Sequence, residues 1–238
     1  MKSTYLLIHG AWHARWCWQY ITPLLKDLGH EVFDPDLPGH GENKMDFIHI
    51  TLATYVDAVT QLVISIDKSV VLVGHSMAGV IISQIAENIP EHIKQLIYIN
   101  GFIPENNGSL LQEAQQSDSP GISTQLAMNP KKNEIILKKT AVTKKLLFNC
   151  CNHKDAELGI SLLQNEPLQP FSDAIKTSAE KFGRVKKLYI ACLQDNVLPA
   201  KDQKRMYEKT NCSVINLDTD HSPFFSAIDK LANIIAQL

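Results

Sequence analysis

Val70-Val71-Leu72-Val73-Gly74-His75-Ser76-Met77-Ala78-Gly79 carries the strongest structural signal in the chain. Four apolar residues in a row, three of them valine, suit a strand buried on both faces of a sheet. The run stops at a glycine, and a serine follows two positions later among small neighbours. That pattern predicts a sharp turn from strand into helix, with the serine at its apex in a strained backbone. The usual spacing is Gly-x-Ser-x-Gly. Here Ala78 stands at the second glycine, and Gly79 follows at once. Serine is also a common helix N-cap, but the buried strand ahead of Ser76 and the glycines around it favour the nucleophile reading. A helix N-terminus under the serine favours negative charge that develops there, and the Met77 N–H becomes one donor to an oxyanion.

Outward from this turn, short apolar runs recur at residues 5–8, 31–33, 96–99, 188–193 and 214–217. Helical patterns lie between them at 18–27, 52–66, 77–88, 201–209 and 225–236. Strands that alternate with helices predict an α/β fold with a mostly parallel sheet, flanked by helices on both faces. The 238 residues suit one domain. The rhythm breaks at about 103–182, where polar residues and helical patches at 144–151 and 155–164 dominate. An insert of that length exceeds a loop of ~2–6 residues. It predicts a helical cap over the carboxyl edge of a core made of 1–102 and 183–238, where such sheets bind ligands.

The nucleophile needs a base and an acid. His221 follows the run at 214–217, in Asp218-Thr219-Asp220-His221-Ser222-Pro223, ahead of the last helix. Of the nine histidines it is the one placed to reach back to Ser76. Asp195, just past the run at 188–193, can hold the far ring nitrogen of His221. Asp218 and Asp220 lie too close to His221 in sequence for that approach, and they suit loop-shaping hydrogen bonds. The other place for an acid, after 96–99, offers only Asn100 and Gly101. His75 reads as a packing or pocket residue. A second oxyanion donor is expected from Ala11, in His9-Gly10-Ala11-Trp12 behind the first strand, where Gly10 lets the backbone turn.

Composition narrows the remaining classes. With 45% hydrophobic and 20% charged residues the chain has globular usage, and a net charge of −2 gathers neither nucleic acid nor an anionic membrane. Lys131, Lys132, Lys138, Lys139, Lys144 and Lys145 read as a solvated helical face. The apolar run behind the first residues is too short for a signal core or a span. Cys17, Cys150, Cys151, Cys192 and Cys212 are odd in number with no Cys-x-x-Cys, which suits free thiols in a reduced, cytoplasmic protein. Cys150-Cys151-Asn152-His153 lacks the spacing of a zinc site, so no metal or cofactor is expected.

His9-Gly10-Ala11-Trp12-His13, Gly74-His75-Ser76-Met77-Ala78-Gly79, Phe182-Gly183-Arg184-Val185 and Asp220-His221 together resemble the methylesterase and hydroxynitrile lyase branch of the α/β-hydrolases, including its bacterial esterases. The likeness runs nearly the full length and is weakest at about 108–143. It implies the α/β-hydrolase fold with a helical cap, no cofactor, and an apolar pocket for small esters, often aromatic. It also implies Ser76, Asp195 and His221 as catalytic residues, with the Ala11 and Met77 amides as oxyanion donors. The lyases of this branch typically carry threonine at the place of Gly10, glutamate at that of His75 and lysine at that of Ser222. All three differ here, which turns the expectation toward a serine carboxylesterase acting through an acyl-enzyme. The competing expectations are a cyanohydrin lyase and a weakly catalytic ligand-binding protein. Trp12, Trp16, Trp18, Phe148, Phe224 and Phe225 are candidates for the pocket wall or the core.

Overall fold

The computed structural model describes residues 2–237; Met1 and Leu238, the ends of the single domain read above, lie outside the described residues. In chain order the first half runs β1 (Thr4–Ile8), α1 (Ile21–Asp27), β2 (Glu31–Phe33), α2 (Leu52–Ser65), β3 (Val70–His75), α3 (Ala78–Asn88) and β4 (Ile93–Ile99). The insert follows as α4 (Leu110–Gln115), β5 (Leu126–Asn129), β6 (Glu134–Leu137), α5 (Ala141–Leu147), α6 (His153–Leu162), β7 (Glu166–Pro167) and α7 (Gln169–Ser172). The chain ends with β8 (Lys187–Cys192), α8 (Ala200–Lys209), β9 (Ser213–Leu217), α9 (Pro223–Ser226) and α10 (Ile228–Ala236).

β2-β1-β3-β4-β8-β9 form one sheet, and each neighbouring pair is parallel. The fold is α/β, as read. β1, β3 and β8 are buried along their whole length, because helices cover both faces and only apolar side chains lose nothing by leaving water there. The outer strand β9 departs from that expectation: Ser213 to Asn216 face solvent and only Leu217 is buried. An edge strand has a neighbour on one side alone, so part of its side-chain surface stays wet.

The insert is not wholly helical. β5, β6 and β7 form a second, antiparallel sheet. Pro130 opens the turn between β5 and β6, and Asn133 closes it in the left-handed region at φ 51°, a conformation Asn tolerates better than most residues. In β6, Ile135 and Leu137 are buried while Ile136 faces out, the period-two alternation of a half-buried strand. The lysine run is solvated but does not share one helical face. Lys131 and Lys132 sit in the hairpin turn, Lys138 and Lys139 follow β6, and Lys144 and Lys145 lie on α5. Among the described residues, no helix is long and apolar enough to cross a membrane.

Candidate active site

The turn after β3 is strained in the way the motif requires: Ser76 has φ 52°, a region that costs a non-glycine residue about 1–3 kcal/mol and is kept where the surroundings enforce it. Two backbone bonds enforce it here, one to the last residue of β4 and one to the chain just after it. Ser76 N–H donates to Ile99 O at 3.1 Å, and Ser76 O accepts from Phe102 N–H at 3.0 Å. Gly79 explains why Ala78 is tolerated at the place of the second glycine. A Cβ on Gly79 would lie 2.4 Å from Phe102 O and 2.9 Å from Phe102 N. Residue 79, not 78, is where the chain after β4 crosses α3 closely.

Ser76, His221 and Asp195 come together. His221 Nε2 stands 3.2 Å from Ser76 Oγ, and His221 Nδ1 stands 2.7 Å from Asp195 Oδ2. The carboxylate accepts a hydrogen bond from Nδ1–H, which leaves the Nε2 lone pair facing the hydroxyl. Asp195 is itself fixed, because Oδ1 accepts from Val197 N–H and Leu198 N–H, both at 2.8 Å. All three side chains are at least 95% buried, so their contacts act in a medium that screens poorly.

Asn100, which the sequence offered only as a place without an acid, joins this group. Its Nδ2 donates to Asp195 Oδ2 at 2.7 Å and to His221 O at 3.1 Å. His75 Nε2–H donates to the same His221 carbonyl at 2.8 Å, so His221 is held by its backbone as well as by its ring. Asp218 and Asp220 do not touch the His221 ring. Asp220 shapes the loop by accepting from Ser222 N–H at 3.0 Å and Ser226 Oγ–H at 2.6 Å, and it also takes Cys150 N–H at 2.6 Å. Asp218 accepts from Gln194 Nε2 at 2.8 Å.

Ala11 and Met77 both border the cavity that opens on Ser76. Among the described residues, neither amide N–H has a hydrogen-bond partner. Two free N–H groups beside a strained serine can receive an anionic oxygen. The cavity holds about 160 Å3 and is walled mainly by apolar side chains, including Leu110, Leu126, Ile135, Phe171 and Leu198. Of the aromatic candidates only Trp12 reaches it. Trp16, Trp18, Phe148, Phe224 and Phe225 instead pack in a cluster behind the loop that carries Ala11, partly around His13. Phe102 and Phe171 line the cavity without having been singled out.

Four further histidines are buried around this loop. Burial first, then the neighbouring His221 and His13, pushes His75 well below the ordinary histidine range. Burial likewise pushes His13 down to about 3, against the Ala11 carbonyl that accepts from its ring. Burial, together with His40, holds His9 well down. His40 goes the other way. Burial lowers it, but the charge and hydrogen bond of Glu166, the Pro38 carbonyl and Asp36 together outweigh that and raise it. Among the described residues no group of three or more His, Cys, Asp or Glu is placed to hold a metal ion.

Comparison with known proteins identifies the family and the fold. Residues 5–234 match the model of the alpha/beta hydrolase family. Polyneuridine aldehyde esterase from Rauvolfia serpentina is 30% identical over 94% of this chain and 91% of its own. Methylesterase 2 from Arabidopsis thaliana is 28% identical over the same two shares. The crystal structure of polyneuridine aldehyde esterase superposes with a TM-score of 0.88 at 27% identity, covering 100% of this chain and 99% of that one. A pyrethroid hydrolase from Sphingobium faniae shares the fold, with a TM-score of 0.90 at 22% identity and coverage of 100% and 97%. With a matched family model over nearly its whole length and esterases among its relatives, the chain belongs to the α/β hydrolase family, in the branch that holds the plant methylesterases.

Proposed function

We propose that this protein is a serine carboxylesterase that hydrolyses small, apolar or aromatic carboxylic esters through an acyl-enzyme, with Ser76, His221 and Asp195 as its catalytic residues. The observation that carries the reading is the chain from Ser76 Oγ through the His221 ring to Asp195, set beside two unpartnered amides at an apolar cavity. Ser76 Oγ attacks the ester carbonyl as His221 Nε2 takes its proton. The carbonyl oxygen, now negative, is received by the Ala11 and Met77 N–H groups. The imidazolium, balanced by Asp195, gives the proton to the departing alkoxide. Water then repeats the sequence on the acyl-enzyme. A small-molecule ester is the only partner this requires. The five free cysteines suit a reduced, cytoplasmic setting.

The packing of Gly10 favours the esterase over the cyanohydrin lyase. A Cβ at Gly10 would sit 2.7 Å from His75 Nδ1 and 2.9 Å from Ser76 Cβ. With His75 in place, no side chain at position 10 can bring a hydroxyl to the substrate. Ser222 is fully buried and supplies no cation for departing cyanide.

The test is hydrolysis of a panel of methyl and phenyl esters beside mandelonitrile cleavage, with Ser76→Ala as the blank. The expected result is Ser76-dependent ester hydrolysis with little benzaldehyde release. Ser76-dependent benzaldehyde release at a rate matching ester turnover would replace this reading with the lyase.

A further inference from the structure

Ala11 is free because everything around it is tied. Gly10 O accepts from His9 Nδ1–H at 2.9 Å and from His13 N–H at 3.3 Å. Ala11 O accepts from His13 Nδ1–H at 2.7 Å. Trp12 O accepts from Gln164 N–H at 2.9 Å, and Trp12 N–H donates to Glu166 Oε2 at 2.8 Å. From Gly10 O to His13 N, the Ala11 N–H alone lacks a partner among the described residues. Trp12 is held at φ 65°, a conformation a tryptophan leaves unless its surroundings enforce it. The peptide between Ala11 and Trp12 is gripped on both edges, by His13 on its oxygen and by Glu166 on its nitrogen.

Glu166 is an unusual residue to find there. It lies on β7 of the insert, far from Trp12 in sequence, and is completely buried. A buried carboxylate needs partners for both oxygens and for its charge. Oε1 accepts from Tyr55 OH at 2.8 Å, and Oε2 accepts from His40 Nε2 at 2.9 Å besides Trp12 N–H. The other ring nitrogen of His40 faces Pro38 O at 3.1 Å. With both of its nitrogens on oxygen acceptors, His40 carries two protons and a positive charge. That charge matters beyond the pair, because a bare carboxylate so near the oxyanion site would repel the charge forming there.

We infer that Glu166 is a positioning residue of the active site: it reaches from the insert to hold the Trp12 backbone, so that the Ala11 N–H stays aimed at the oxyanion, while His40 cancels its charge. The inference rests on the esterase reading. Its consequence is that the insert completes the oxyanion hole of the core as well as walling the cavity.

The experiment compares three variants on one activated aryl ester. Glu166→Gln keeps an acceptor for Trp12 N–H and should hold kcat within a fewfold. Glu166→Leu removes the acceptor and should lower kcat about 10–100-fold with KM within threefold, since a misplaced group acts on the transition state rather than on binding. Tyr55→Phe removes one bond from the same carboxylate but leaves Trp12 held, so it should lower Tm and spare kcat. If Glu166→Leu alone does not fold, the double variant Glu166→Leu with His40→Leu removes both buried charges and reads the same loss. Equal kcat in Glu166→Leu and Glu166→Gln would overturn the inference. So would a kcat loss in Tyr55→Phe that tracks its Tm as closely as in Glu166→Leu.

Amide hydrogen exchange gives a readout without turnover. Protection at Trp12 should fall in the Leu variant and stay in Tyr55→Phe; unchanged protection would overturn the clamp. Activity that survives Ser76→Ala would sink the esterase reading instead, and the exchange pattern alone would then decide whether Glu166 holds the loop.

Discussion

Gly10 and His75 share one small space, and the choice made at each constrains the other. The distances given for a Cβ at Gly10 are too short for either partner to yield, since one is the ring that holds His221 O and the other is the proposed nucleophile, Ser76. Gly10→Thr should therefore lower ester turnover by about 10²-fold, the usual penalty for moving a catalytic group by about 1 Å. Steady-state kinetics on a phenyl ester checks this, and a variant with wild-type kcat would contradict it. Asp195→Asn should cost about 10³–10⁴ in turnover, because a carboxamide no longer fixes the Nδ1–H tautomer of His221. Asp220→Asn should cost far less turnover and show instead as a lower Tm, since its contacts are to the loop, to Cys150 and to Ser226. A larger kcat loss in Asp220→Asn than in Asp195→Asn would move the acid. Ser76, Asp195 and His221 could be singled out in sequence because each follows a strand, and the structure brings their side chains together. Asn100 and Glu166 were not: Asn100 looked like a vacancy for an acid, and Glu166 meets Trp12, His40 and Tyr55 only across long stretches of chain.

Elements came through the sequence in proportion to how strictly burial selects their side chains. β1, β3, β4 and β8 lie between layers of helices, where valine, isoleucine and leucine are the rule, and they stand where the apolar runs predicted. The β5–β6 hairpin was read as part of a helical segment. Its strands are four residues each, β6 alone buries a face, and Leu126-Ala127-Met128-Asn129 carries no β-branched residue. The junction of α3 with the chain after β4 gives an element-scale prediction. Gly79→Ala should lower stability by about 1–3 kcal/mol, the range for forcing a methyl into packed structure, because the obstacle is the Phe102 backbone rather than a flexible side chain. Urea unfolding measures it, and an unchanged midpoint would mean the two segments can separate freely. Because Phe102 N–H also bonds Ser76 O, the same variant should lose activity even at temperatures where it stays folded.

At the scale of the whole molecule, the buried histidines tie stability to pH. His9, His13 and His75 titrate well below their unfolded value of ~6.5, with His13 at about 3. Between those limits the unfolded chain binds more protons than the folded one, so stability falls as pH falls through that window. Three such groups give a slope of up to about 4 kcal/mol per pH unit, at roughly 1.36 kcal/mol each. His40 has the opposite sign: its raised value adds stability below ~6.5 that is lost as pH rises through its folded value. Urea midpoints at pH 7, 6 and 5 should fall steeply, within a range too high for carboxylate titration to dominate. A flat profile would contradict the neutral, buried state of these rings. Whether turnover runs through Ser76 is read by intact-protein mass spectrometry after titration with a fluorophosphonate. The expected result is one phosphonyl group per chain, located on Ser76, with ester turnover lost in step with labelling and no adduct on Ser76→Ala. Ester turnover that persists in the fully labelled protein would contradict it.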